Sequence, residues 1–264
     1  EAGLVHAGVG ASLAEAREAK FLETGKARVA LVSVASTFAP HMRAGASRDD
    51  VPPRPGLAPL RYRTTYVVTA DAFGALREAG ESLGEFRGSD GGTRGLDPAH
   101  PDRMKVFGRD FRVGPAAAVE TVPHRGDLEA VAAVVRNADV LADFVIVSIH
   151  AHEGPSRSEP AAFVGTFARA VIDAGADVFV GHGPHALRGI ELYRGRPIFY
   201  SLGDFVFQNE TLLRLPHDNY AAYALGEDAG VADFNDRRYD GDTTGFPANR
   251  EIWEGVIALP VFEG

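Results

Sequence analysis

DFVIVSIH (residues 143–150), PAAFVGTFARAVIDAGA (160–176) and DVFVG (177–181) together decide the fold class. The first piece is an unbroken apolar run rich in Val and Ile, which suits a strand covered on both faces, as in parallel sheets. The middle piece places Phe163, Phe167, Val171 and Ile172 at helical spacing, with Gly175 positioned as the cap beyond the helix end. A second short apolar strand follows. Strand, helix, strand implies a parallel pair joined by a right-handed crossover.

Working outward, GIELY (189–193) and RPIFYSLGDFVF (196–207) read as further strands, and a helix across about 127–141 leads into the first. ARVALVSVAS (27–36) reads as another buried strand. Ser12 and Glu15 have the capping-box spacing at the head of a helix over 12–20, and Thr69 opens a capped amphipathic helix, TADAFGALREAGESLG. Pro40, Pro52, Pro53, Pro55 and Pro59 make 40–60 an extended surface connection, and 87–104 is a polar, Gly-rich loop. The expectation is one α/β domain over 1–264 with a largely parallel central sheet and a loop-rich acidic flank at 210–250.

Composition narrows the function classes. The chain has 264 residues, 45% hydrophobic and 24% charged, enough apolar content for a sizeable core and too much for a disordered chain. No apolar run approaches the roughly 18 residues of a spanning helix. Zero cysteines exclude disulfide scaffolds, thiolate zinc sites, iron–sulfur clusters and cysteine nucleophiles. A net charge of −9 argues against a non-specific nucleic-acid partner, which needs a basic face. Lysine-dependent chemistry is restricted to Lys20, Lys26 and Lys105. GVGASL (8–13) carries Leu13 where a dinucleotide fingerprint requires Gly or Ala, so it is rejected. No signal peptide or anchor is in view, although the chain opens at Glu1 rather than methionine, so a removed leader stays open. The cytoplasm is the default compartment.

The chemistry is expected where the two strands end. His150-Ala151-His152-Glu153-Gly154 follows the first and Gly181-His182-Gly183-Pro184-His185 follows the second. In a parallel sheet these ends share one edge, which is where open α/β sheets bind ligands. Neutral imidazole is a common ligand for divalent metals, so His150, His182 and His185 are the candidate metal ligands. His152 and Glu153 are the candidate catalytic pair. Glu153 can also be read as an orienting partner or a solvated loop acid. Asp204, after the strand IFYSLG, is a third strand-end polar residue, and a turn-forming role is equally open to it. With Arg188 and Asn209 it is assigned to substrate binding.

HAHEG, AVIDAGADVFVGHGPHALRGIELYRGRPIFYSLGDFVFQ and the earlier AGLVHAGVGASLAEARE resemble the CapA family, the poly-γ-glutamate synthesis proteins of the calcineurin-like metallophosphoesterase superfamily. The similarity is strongest over 143–209 and covers most of the chain. It implies a metallophosphatase-like layered sandwich and divalent metal chemistry, with Mn, Fe, Zn and Ca undistinguished. His150 is similar to one metal-binding histidine of that superfamily, and His182 and His185 to the next pair along the chain. Two departures stand out: Asp204 replaces the usual Asn after "SLG", and the loop is HGPH rather than a tight His-x-His. The acidic ligands the resemblance implies are not found before His150, so the chain is expected to be part of a longer polypeptide, lacking the N-terminal strands, or a member with half a metal site. The implied function is a metal-dependent enzyme, hydrolase-like, acting on a peptide or polyglutamate-type substrate. Peptide epimerisation by metal-assisted α-proton abstraction is one alternative, and a non-catalytic capsule-assembly module is another.

Overall fold

The computed structural model describes residues 3–88, 92–206, 208 and 211–262. A short β1 (Val9–Gly10) leads into α1 (Leu13–Arg17), where the Ser12 hydroxyl accepts from the Glu15 amide and the Glu15 carboxylate accepts from the Ala11 amide. The helix is shorter than its 12–20 expectation because the chain turns extended at Lys20. There β2 (Lys20–Glu23) pairs antiparallel with β3 (Arg28–Ala35). The proline-rich connection holds a single turn at Pro40–Met42 and the two-residue β4 (Gly56–Leu57), which pairs with β1.

The next segment departs most from the sequence reading. Strand β5 (Tyr62–Val68), helix α2 (Ala70–Ser82), and strands β6 (Arg103–Val106), β7 (Arg109–Val113) and β8 (Ala118–Pro123) build a second, four-stranded sheet in the order β6-β7-β5-β8. Its strands are short and heavily charged on their outer positions, as in RMKV and RDFRV, so they carry no apolar run to mark them. Met104 and Val106 of β6 form a small core with Phe73 of α2 and Phe86 in the turn that follows it.

Helix α3 (Arg125–Leu141) buries Val131, Val135 and Ala138, three positions on one helical stripe, and delivers the chain to β9 (Phe144–His150). Helix α4 (Ala162–Asp173) and β10 (Val178–His182) complete the strand–helix–strand unit, and β9 and β10 pair parallel. Strands β11 (Ile190–Tyr193) and β12 (Arg196–Phe199) follow. The six-stranded sheet has the order β11-β12-β10-β9-β3-β2, with the inner four strands parallel and both edges antiparallel.

The main core lies between this sheet and helices α3 and α4. Phe163, Phe167 and Phe179 are fully buried there, each stabilising the fold by roughly 1.5–3 kcal/mol. Along β9 the covered positions are Val145, Val147 and Ile149, while Phe144, Ile146, Ser148 and His150 on the opposite face are only half-buried. One face of the sheet is therefore packed by helices and the other carries the histidines.

The buried Asp127 ties α3 to the rest. It accepts from Arg17 at 2.5 Å and from the Arg61 backbone amide, Nε and Nη2 at 3.0, 2.7 and 2.8 Å. Burial alone would raise its pKa, but the hydrogen bonds and charges of the two arginines more than offset this and hold it below the usual carboxylate range.

The flank at 210–250 is acidic as expected but not simply loop. It contains α5 (His217–Ala222), α6 (Val231–Tyr239) and α7 (Gly245–Ala248), with Phe234 and Tyr239 buried. Charged residues break the apolar stripes of these short helices, which hid them in the sequence.

Candidate functional site

The register of β9 and β10 sets the site. His150 and His182 are directly opposite each other, and Ala35 at the end of β3 is opposite His150 on its other side. Because all three strands run the same way, their C-terminal ends meet on one rim. The chain leaves β10 through Gly183 with φ +119°. A Cβ there would stand 3.0 Å from His152 Cδ2 and 3.2 Å from His150 Cε1, so the backbone lies directly against two imidazoles. His185 has φ +54°, a left-handed conformation that costs a non-glycine residue on the order of 1 kcal/mol.

The rim imidazoles form a file. His182 Nε2 is 3.1 Å from Ser148 Oγ, His182 Nδ1 is 3.3 Å from His150 Nδ1, and His150 Nε2 is 3.1 Å from His152 Nε2. Desolvation and the neighbouring rings push His182 down to about 4, although an edge of the ring stays open to solvent. His150 and His152 are also lowered, chiefly by burial, with Glu153 pulling weakly the other way. All three are thus neutral near pH 7.

Neutral imidazoles have the right donor chemistry for a divalent ion, and each close pair offers an edge of two nitrogens. A cage requires three or more donors turned to one point. His150 instead directs its two nitrogens to opposite neighbours, and among the described residues no group of three His, Asp or Glu side chains is arranged to hold a metal. The residues as placed do not fit a complete metal cage.

His185, grouped with the metal ligands on sequence, stands apart from this file. Its Nδ1 lies 3.1 Å from both oxygens of Asp204, and its ring meets His152 edge-on with centroids 5.5 Å apart. Phe246 of α7 packs edge-on against it at 5.4 Å, so the acidic flank reaches the rim. Asp204 thus faces His185, whereas the sequence reading placed it on substrate.

Glu153 is held by hydroxyls. Ser36 Oγ donates at 2.8 Å and Thr37 Oγ1 at 2.9 Å. Burial, then the Glu153 charge, pushes the Tyr62 phenol up to about 12, so it remains a donor. Thr37 Oγ1 also accepts from the His152 amide at 2.9 Å. Glu153, expected on sequence to be catalytic, is thereby a fixed part of the loop that carries His152.

Arg188 is 6% exposed, and its guanidinium donates to the carbonyls of Arg157 at 3.0 Å and His152 at 3.1 Å. This corrects the substrate-binding assignment: its donors point inward and build the 152–157 loop. Asn209 lies outside the described residues.

Sequence reasoning missed Ser36, Thr37, Tyr62 and Ser148. Ser36 and Thr37 follow the end of β3, so the strand-end logic applied to the histidines would have found them. Tyr62 carried no such signal, since a long proline-rich connection separates it from the rim.

Residues 1–209 match the bacterial capsule synthesis protein family PGA_cap. The chain belongs to that family. PGA_cap is part of the metallophosphoesterase-like superfamily, whose members usually bind divalent metals, and the mixed α/β architecture described above is metallophosphatase-like. An uncharacterized protein of Sinorhizobium fredii, y4sH, is 38% identical over 277 aligned positions, covering 100% of this chain and 57% of its own length. This PGA_cap chain thus spans little more than half of that relative. The PGA biosynthesis protein CapA of Bacillus subtilis is 46% identical over 74 residues, 28% of this chain and 19% of its own. A probable polyglutamine synthesis accessory protein of Mycobacterium tuberculosis is 55% identical over 40 residues, 15% of this chain and 10% of its own.

Proposed function

We propose that this PGA_cap chain carries the acid–base machinery of an enzyme in polyglutamate capsule synthesis, acting on a peptide or polyglutamate-type substrate at the rim of the six-stranded sheet. The observation that carries the reading is the His185–Asp204 pair beside His152. A carboxylate on Nδ1 favours the tautomer that donates from Nδ1, which makes Nε2 the nitrogen that takes a proton. In hydrolysis, His185 takes the proton of an attacking water as the new C–O bond forms at the carbonyl. The proton returns to the departing amine as the C–N bond breaks. The relatives' names, which refer to PGA, capsule and polyglutamine synthesis, support this substrate class.

Epimerisation is the second reading, supported by the proximity of two imidazoles, His152 and His185, able to remove and return one α-proton. Incubation with γ-glutamyl oligomers in deuterated water separates the two. New amine ends support hydrolysis, and deuterium at the α-carbon without chain cleavage supports epimerisation. Asp204→Asn should lower either rate by about 10²-fold or more, since it removes the group that fixes the tautomer. Unchanged rates in both Asp204→Asn and His185→Ala would refute the proposal. A divalent-metal requirement is tested by elemental analysis of protein dialysed against Mn, Zn or Ca, with His150→Ala and His182→Ala as controls.

A further inference from the structure

A cleft of about 500 Å³ adjoins the rim on the far side of Glu153. Its floor is one face of the second sheet, formed by Tyr62, Thr64 and Tyr66 of β5 with Val119 of β8, and its roof is the 153–162 loop with Pro155 and Pro160. The volume is that of a ligand pocket. The floor is rigid: Tyr62 stacks on the fully buried Phe163 with centroids 4.2 Å and planes 4° apart, and the Tyr66 hydroxyl accepts from Arg109.

The lining decides what the cleft takes. Glu153 is its one charged lining residue, and both carboxylate oxygens already accept from Ser36 and Thr37. The remainder is apolar carbon with tyrosine and threonine hydroxyls, and no cation lines it among the described residues. A second carboxylate placed here would be desolvated beside Glu153 with no lining cation to pair with, the nearby Arg109 already donating to the Tyr66 hydroxyl, which is unfavourable. An aromatic or aliphatic side chain would find matching surface. The cleft is also linked to the rim, because Thr37 holds both the Glu153 carboxylate and the His152 amide.

From this juxtaposition we infer that the cleft is a side-chain subsite selecting an uncharged, apolar or aromatic residue of a peptide substrate, next to the residue processed at the histidine rim. The inference rests on the rim reading for the position of the reaction, and it deepens the peptide arm of that reading: the cleft favours substrates with an uncharged side chain beside the processed residue.

The test is binding, so it does not depend on turnover. N-acetyl-phenylalanine amide and N-acetyl-glutamate amide are titrated into the protein and followed by ¹H–¹⁵N shifts. The phenylalanine compound should bind at least about tenfold more tightly, a difference of about 1.4 kcal/mol, and shift the Tyr62, Thr64 and Thr121 amides. Thr64→Trp should fill the cleft and abolish this binding. Val119→Asp, at a 61% exposed edge position that tolerates polarity, should weaken it severalfold and serves if Thr64→Trp does not fold. His185→Ala should leave it unchanged. Equal affinity for the two amides, or phenylalanine binding that survives the folded cleft variant, would overturn the inference. Loss of turnover in His185→Ala bears only on the rim reading.

Discussion

Replacing Glu153 by glutamine keeps its shape and removes its charge, which isolates what the hydroxyl clamp contributes. The carboxylate accepts from Ser36 and Thr37. Hydrogen bonds to a charged partner contribute about 1.5–3 kcal/mol and neutral ones about 0.5–1.5, so each bond should weaken by roughly 1 kcal/mol. Glutamine also offers one acceptor oxygen, and its NH₂ must face a hydroxyl that now has to turn from donor to acceptor. Allowing for partial solvent access, the expected loss is about 2–3 kcal/mol. At roughly 2–4 °C per kcal/mol for a chain of this size, the melting temperature should fall by about 4–12 °C. Differential scanning calorimetry checks the magnitude. Because Thr37 bridges to the His152 amide, that amide resonance should move as well, and the Tyr62 phenol should titrate below its present value of about 12. A melting temperature within about 1 °C of wild type, with the His152 amide unmoved, would show that the clamp is not the anchor of this loop.

Three further expectations follow from the rim and its support. Gly183→Ala should destabilise the protein by about 1–3 kcal/mol and shift the His150 and His152 ring resonances, because its Cβ would crowd both rings at 3.0 and 3.2 Å while φ stays positive; an unperturbed spectrum counts against that packing. His182 should stay neutral from pH 8 to 5 in ¹H–¹³C spectra, since its folded pKa is about 4. The unfolded chain takes up that proton near 6.5 and the folded chain does not, so stability should decline as pH falls from 6.5 towards 4, and His182→Asn should flatten that slope. Asp127→Asn should lose about 3–5 kcal/mol by leaving Arg17 without its buried partner, measured by urea denaturation. The folded Asp127 pKa is depressed, so its contribution is present above about 3.8, the ordinary value, and lost as pH falls through the folded value.

The central sheet was legible because its strands run as continuous Val/Ile segments and because a glycine cap and helical spacing mark α4 between them, although only one face of β9 is fully buried where the unbroken run suggested two. The convergence of His150 and His182 followed from topology alone, since parallel neighbours end together. The second sheet was not legible: β6 and β7 alternate charge with single apolar residues, which resembles polar loop until Phe73 and Phe86 supply the other side of the small core. Individual roles on the rim also lay beyond the sequence. Spacing places four histidines on one edge, but only rotamers show that His150 faces two neighbours, that His185 turns to Asp204, and that Arg188 points inward.

The outermost strand of the large sheet has a practical consequence. Strand β11 carries Ile190 and Leu192 at 64% and 78% exposure, and among the described residues one of its sides has no strand partner. An open edge of this kind is a template for a neighbouring chain, and no lysine or proline within β11 blunts it. Mutual repulsion from a net charge of −9 opposes that pairing, and salt weakens the repulsion. Concentrated preparations should therefore be cleanest at low ionic strength and well above the isoelectric point near 5.5, and Leu192→Lys is the change that should extend that range.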